Sequence, residues 1–143
     1  MHRAQFVGIV FRIFGALILV VAIAHLYATT LIQDHVLAAI ANEKLRAFVA
    51  PGYLLDHILV GVFMLPMGFI LIWSGRALDA GQRWAYVVNI SFSLAILSTP
   101  FLIIGIMPPQ SLQAPVFLSS AIAMAVIGAL SCGVLWWARR DFR

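Results

Sequence analysis

The sequence predicts an all-α fold: an integral membrane four-helix bundle with a short amphipathic outer helix between the first and second spans. Three observations carry that prediction. Of 143 residues, 64% are apolar and only 10% are charged; soluble domains carry about 25% charged residues, so this chain has too few to clothe a water-exposed surface. Four apolar stretches reach the ~20 residues with which a helix crosses a hydrocarbon core about 30 Å thick. The net charge of +4 rests on nine Lys and Arg. Most of these sit beside apolar runs rather than in a patch, which reads as membrane topology and argues against nucleic acid as a partner.

The first span runs from Ile13 to Ile32 and holds one basic or acidic side chain, His25. Leu54 to Trp73 follows, with Asp56 and His57 near its start, and then come Trp84 to Ile106 and Val116 to Trp137, both without charge. Backbone groups in lipid must bond internally, and stretches this long and unalternating do not read as barrel strands, so all four are expected to be helices. One transmembrane domain over residues 1–143 is expected, without repeats or linkers. Arg3 and Arg12 ahead of Ala22-Ile23-Ala24 also have the layout of a secretory signal. The apolar run continues past that point, which favours an uncut anchor.

Orientation follows from the basic residues. Arg3, Arg12, Arg76, Arg83, Arg139, Arg140 and Arg143 flank the N-terminus, the second connection and the C-terminus, whereas only Lys44 and Arg46 lie on the other side. Seven against two predicts cytoplasmic N- and C-termini. Trp73, Trp84, Trp136 and Trp137 fall at that same boundary, and Tyr27 and Tyr53 fall towards the outer one, as interfacial aromatics do.

The first connection, Gln33 to Gly52, has the pattern of a surface helix over residues 34–49. Asp34 is its expected cap, and Leu37, Ile40, Ala41, Leu45 and Phe48 form its apolar stripe. Pro51-Gly52 is expected to end it and to open the second span. The second connection, Ser74 to Arg83, reads as a tight hairpin. The third, Met107 to Pro115, is uncharged and carries Pro108, Pro109 and Pro115. The run Gly75-Arg76-Ala77-Leu78-Asp79-Ala80-Gly81-Gln82-Arg83-Trp84-Ala85 resembles a loop of small, uncharacterised four-helix bacterial inner-membrane proteins. That resemblance implies a bacterial inner membrane and brings no activity with it.

Motif-based enzyme classes find no support, since no Ser-His-Asp order, glycine-rich phosphate loop or H-E-x-x-H is present. Cys132, the single cysteine, has no partner for a disulfide and reads as a small buried residue. Ala121, Ala125, Gly128 and Cys132 share one helix face, as do Gly61 and Gly68 on another helix, and both faces allow close helix approach. Pro66 and Pro100 deprive the carbonyls of Val62 and Ile96 of their helical donors, so spans two and three are expected to bend. Ser98 and Thr99 lie close enough to help satisfy the freed groups. Asn89 stands out among the scattered polar residues, because an amide satisfies itself on its own helix less fully than a serine does.

His25, Asp56 and His57 are the candidate site, because an ionisable group inside a span is costly and is functional by default. His25 and His57 lie in the same leaflet, and His57 shares its face with Gly61, Met64 and Gly68. The first reading is a polar lock, in which a neutral histidine bonds Asp56 and pins span one to span two. The second is a ligand site at His25, His57 and Met64, with Met67 one turn on. At the level of function, the leading expectation is a non-enzymatic, small polytopic membrane protein, structural or an accessory subunit. Its partners are then the lipid bilayer and either further copies of itself or a larger membrane complex, and it needs no cofactor. The alternative is a membrane redox or transport protein with a metal, haem, quinone or proton site at His25, Asp56 and His57, haem and copper being the cofactors such ligands suit.

Overall fold

A computed structural model describes residues 2–106 and 115–142. The chain forms α1 (Arg3–Ala39), α2 (Glu43–Asp79), α3 (Arg83–Ile106), α4 (Pro115–Ala138) and a closing 3-10 turn at Arg139–Asp141, with no strand among the described residues. Each expected span falls inside one of these helices, and all four are long and apolar enough to cross a membrane. The connection bearing Pro108 and Pro109 lies outside the described residues. At 1.5 Å per residue the 24-residue helices α3 and α4 are ~36 Å long, close to a hydrocarbon core, whereas the 37-residue α1 and α2 reach ~55 Å.

The separate surface helix expected over residues 34–49 does not form. α1 continues to Ala39, the break falls between Ala39 and Glu43, and α2 begins there. Asn42 is the cap: its side-chain oxygen accepts the Leu45 backbone N–H at 3.1 Å, and its carbonyl accepts the Arg46 N–H at 2.8 Å. The Arg46 side chain then closes the turn by donating from Nε to the Ile40 carbonyl at 2.8 Å. Pro51-Gly52 is no boundary either, because α2 runs through both Pro51 and Pro66. A helical proline removes one hydrogen bond, and Ala47, whose carbonyl Pro51 leaves without its helical donor, sits at an exposed position.

The described chain divides into two compact units, one of residues 12–73 and one of residues 1–11 with 74–143. In the first, α1 and α2 pack antiparallel with backbone close to backbone. A Cβ on Gly15 would lie 2.7 Å from the Gly68 carbonyl oxygen, and one on Gly68 would lie 2.7 Å from Leu19 and 2.9 Å from the Gly15 carbonyl oxygen. Gly61 takes Leu26 in the same way at 2.6 Å, so the Gly61 and Gly68 face is a helix-packing face, as its spacing suggests.

The second unit joins the first turns of α1 to the end of α2 and to α3 and α4. Gln5 reaches back to the His2 backbone N–H at 3.3 Å, half of a capping box that starts α1. α2 ends in a Schellman motif: the Gly81 N–H bonds the Leu78 carbonyl at 2.9 Å and the Gln82 N–H bonds the Ala77 carbonyl at 3.0 Å. Gly81 supplies the positive φ of 68° that this motif requires. α3 and α4 meet where Gly128 faces the Leu97 backbone, with Ala121, Leu135 and Ala138 buried along the same side of α4. Arg3 and Arg139 donate to the Trp137 and Trp136 carbonyls at 3.4 and 3.1 Å, and each guanidinium stacks over the corresponding indole. Two cations thus cap the negative end of α4. Within this unit the N-terminal turn, the α2–α3 turn and the C-terminal segment lie at one end: Phe6 meets Trp137 edge-on, Tyr86 stacks on Phe142, and Gly81 lies against Asp141.

Candidate functional site

The helix pair of residues 12–73 brings His25 and His57 together. Their rings stack with centroids 4.8 Å apart and planes 11° from parallel. Tyr53, four residues before His57 and therefore on the same face of α2, also meets the His57 ring, at 4.6 Å and 52°. His57 thus contacts an imidazole from α1 and a phenol from its own helix. The Thr29 hydroxyl donates to the His25 carbonyl at 2.8 Å, one turn further along α1. The Nε2 of His25 is buried and has no hydrogen-bond partner among the described residues.

The expected lock through Asp56 is not formed. Asp56 is exposed, and among the described residues no hydrogen bond joins it to either histidine. Consecutive residues point about 100° apart, and with His57 turned towards His25 of α1, Asp56 falls at an exposed position. Met64 is half-buried on α2, seven residues and ~10 Å of rise beyond His57. Imidazole lone pairs lie in the ring plane, and two nearly parallel stacked planes do not converge on an ion ~2.0 Å from both nitrogens. As stacked, the pair does not chelate a metal, and no group of three or more His, Cys, Asp or Glu among the described residues is arranged to hold one. What the arrangement offers is a buried hydrogen-bonding position, at His25 Nε2, beside the stacked imidazoles.

A second polar cluster lies in the other unit. Asn89 is fully buried and spends both amide hydrogens, on the Ala85 carbonyl at 2.7 Å and on the Ser74 hydroxyl of α2 at 2.9 Å. Its side-chain oxygen is buried without a partner among the described residues, and Ser93 donates to its backbone carbonyl at 2.8 Å. Asn89 therefore makes the interhelical bond that its chemistry suggests. Ser98 and Thr99 do not serve the carbonyl freed by Pro100; both donate to Ala95, at 2.8 and 2.9 Å. Ile96 is out of reach of Ser98, whose i−3 and i−4 carbonyls are Ala95 and Leu94, and Thr99 takes its i−4 carbonyl, Ala95, over its i−3 carbonyl, Ile96.

Two participants escape a sequence reading. Tyr53 passes as an interfacial aromatic, although its four-residue spacing to His57 is a usable signal. Ser74 looks like hairpin punctuation, and its pairing with Asn89 depends on how the α2–α3 turn folds back, which spacing alone does not encode. Searches of family models, curated proteins and solved structures find no match for this chain.

Proposed function

We propose that the chain is a four-span helical bundle of the bacterial inner membrane, with both termini cytoplasmic, serving as a structural or accessory subunit. The observation that supports it most is an inverted polarity. Large apolar side chains such as Phe63, Trp73 and Phe101 are 64%, 64% and 70% exposed, while Asn89, Ser74 and Ser93 are buried. Apolar surface on this scale is stable only against lipid or other membrane helices, and polar groups turned inward serve as the bonds between helices. Purification from membranes tests the reading. The chain is expected to leave the membrane only with detergent and to show neither a visible absorption band nor stoichiometric metal. A chromophore or metal in the purified protein would overturn the accessory role.

The unpartnered Nε2 of His25 favours a second reading, a transport or redox protein in which a polar ligand or a proton docks against the His25–His57 stack. Under that reading His25→Ala abolishes binding or turnover while the protein still inserts. Under the first, the same change only loosens the helix pair.

A further inference from the structure

At the joined ends of α1 and α2, within the unit of residues 12–73, lies an open groove of about 490 Å³. Its polar wall is Gln33, Glu43 and Arg46, and its apolar wall includes Leu37, Ala50 and Leu54. Glu43 and Arg46 are three residues apart on α2, so an acid and a base stand side by side on one helix face. Arg46 is half-buried and held by its Nε bond to the Ile40 carbonyl, which fixes the plane of the guanidinium and uses one of its five donors. A fixed planar fork is the side chain best suited to a phosphate. Leu54 begins the apolar run of α2, and Gln33 follows directly on that of α1, so the groove leads from the edge of the apolar spans into the polar flanking region.

We infer that this groove binds the head group of a zwitterionic phospholipid carrying a primary ammonium, as phosphatidylethanolamine does. The phosphate sits on the Arg46 fork, the ammonium on the Glu43 carboxylate, and the first part of the acyl chains along Leu37 and Leu54. Charge complementarity decides the occupant: an anionic head group without an ammonium would meet the Glu43 carboxylate uncompensated, and a soluble phosphate would leave the apolar wall unused. The inference rests on the four-span reading, which detergent-only extraction scores separately.

The test is native mass spectrometry of the full chain in detergent, with phosphatidylethanolamine or phosphatidylglycerol added at equal concentration. The wild type is expected to retain phosphatidylethanolamine at least fivefold more than phosphatidylglycerol. Arg46→Gln is expected to lose most retention of both lipids. Because that change also breaks the bond to Ile40, Glu43→Gln supplies the independent readout: retention persists, but the preference between the two lipids falls at least threefold. Equal retention of both lipids by the wild type, an unchanged preference in Glu43→Gln, or full displacement of the lipid by equimolar soluble glycerophosphoethanolamine would each overturn the proposal.

Discussion

His25 places a nitrogen in a buried position with no hydrogen-bond partner among the described residues, and an unsatisfied buried polar atom costs about 1–3 kcal/mol. Two substitutions separate packing from ligand use. His25→Phe keeps a flat ring against His57 and removes the orphan nitrogen, so under the structural reading the protein unfolds in detergent at an equal or higher temperature. His25→Ala leaves a cavity beside His57 and lowers the midpoint, by the equivalent of roughly 2 kcal/mol or more. If Phe proves as damaging as Ala, the nitrogen has a partner in the membrane and the structural reading fails. Gly8 gives a sharper steric test. A Cβ there would run into the Asp79 carboxylate and come within 2.5 Å of the Gly75 carbonyl oxygen, so Gly8→Ala is expected to destabilise by about 1–3 kcal/mol. Unchanged thermal stability of that variant would contradict the packing of α1 against α2 in this unit.

At the scale of elements, the break between α1 and α2 depends on one cap. Asn42→Ala removes the acceptor for the Leu45 N–H and is expected to cost about 1 kcal/mol. Faster amide exchange should appear over the first turn of α2, while the Gly61 and Gly68 region keeps its protection; exchange unchanged at Leu45 would show that the cap contributes nothing. This junction is also where sequence and structure part. The four spans were legible because a long apolar run is a collective signal that no single residue can cancel. The junction was not, because Asp34 and Asn42 are both sound caps and Pro51-Gly52 is a sound breaker, and choosing among them needs the tertiary contacts of α1 with α2. The Schellman turn at Gly81 was readable as a hairpin, since a glycine just past a helix end and ahead of polar residues is a local device. For the candidate site, the depths of His25 and His57 showed that they could meet. Only the helix rotation shows that Asp56 points elsewhere and that Tyr53 meets the His57 ring.

At the scale of the molecule, topology links the charge pattern to the fold. In the proposed four-span topology the number of crossings is even and both termini lie on one side; the unit of residues 1–11 and 74–143 joins the N-terminal turn, the α2–α3 turn and the C-terminal segment. Arg3 and Arg139 on the last carbonyls of α4 supply the positive charge of that end, with Trp136 and Trp137 stacked beneath them. Cytoplasmic loops carry the excess of Lys and Arg, so the proposed topology has this end inside and the α1–α2 junction outside. A reporter active only in the cytoplasm, fused after Arg143, is therefore expected to be active, and the same reporter inserted at Ala41, between α1 and α2, silent. The junction tolerates the insertion because Ala41 is exposed and lies outside both helices. Activity at both positions would mean that α2, α3 and α4 do not all cross. Silence after Arg143 with activity at Ala41 would mean that the whole arrangement is inverted and that the groove at Arg46 faces the cytoplasm.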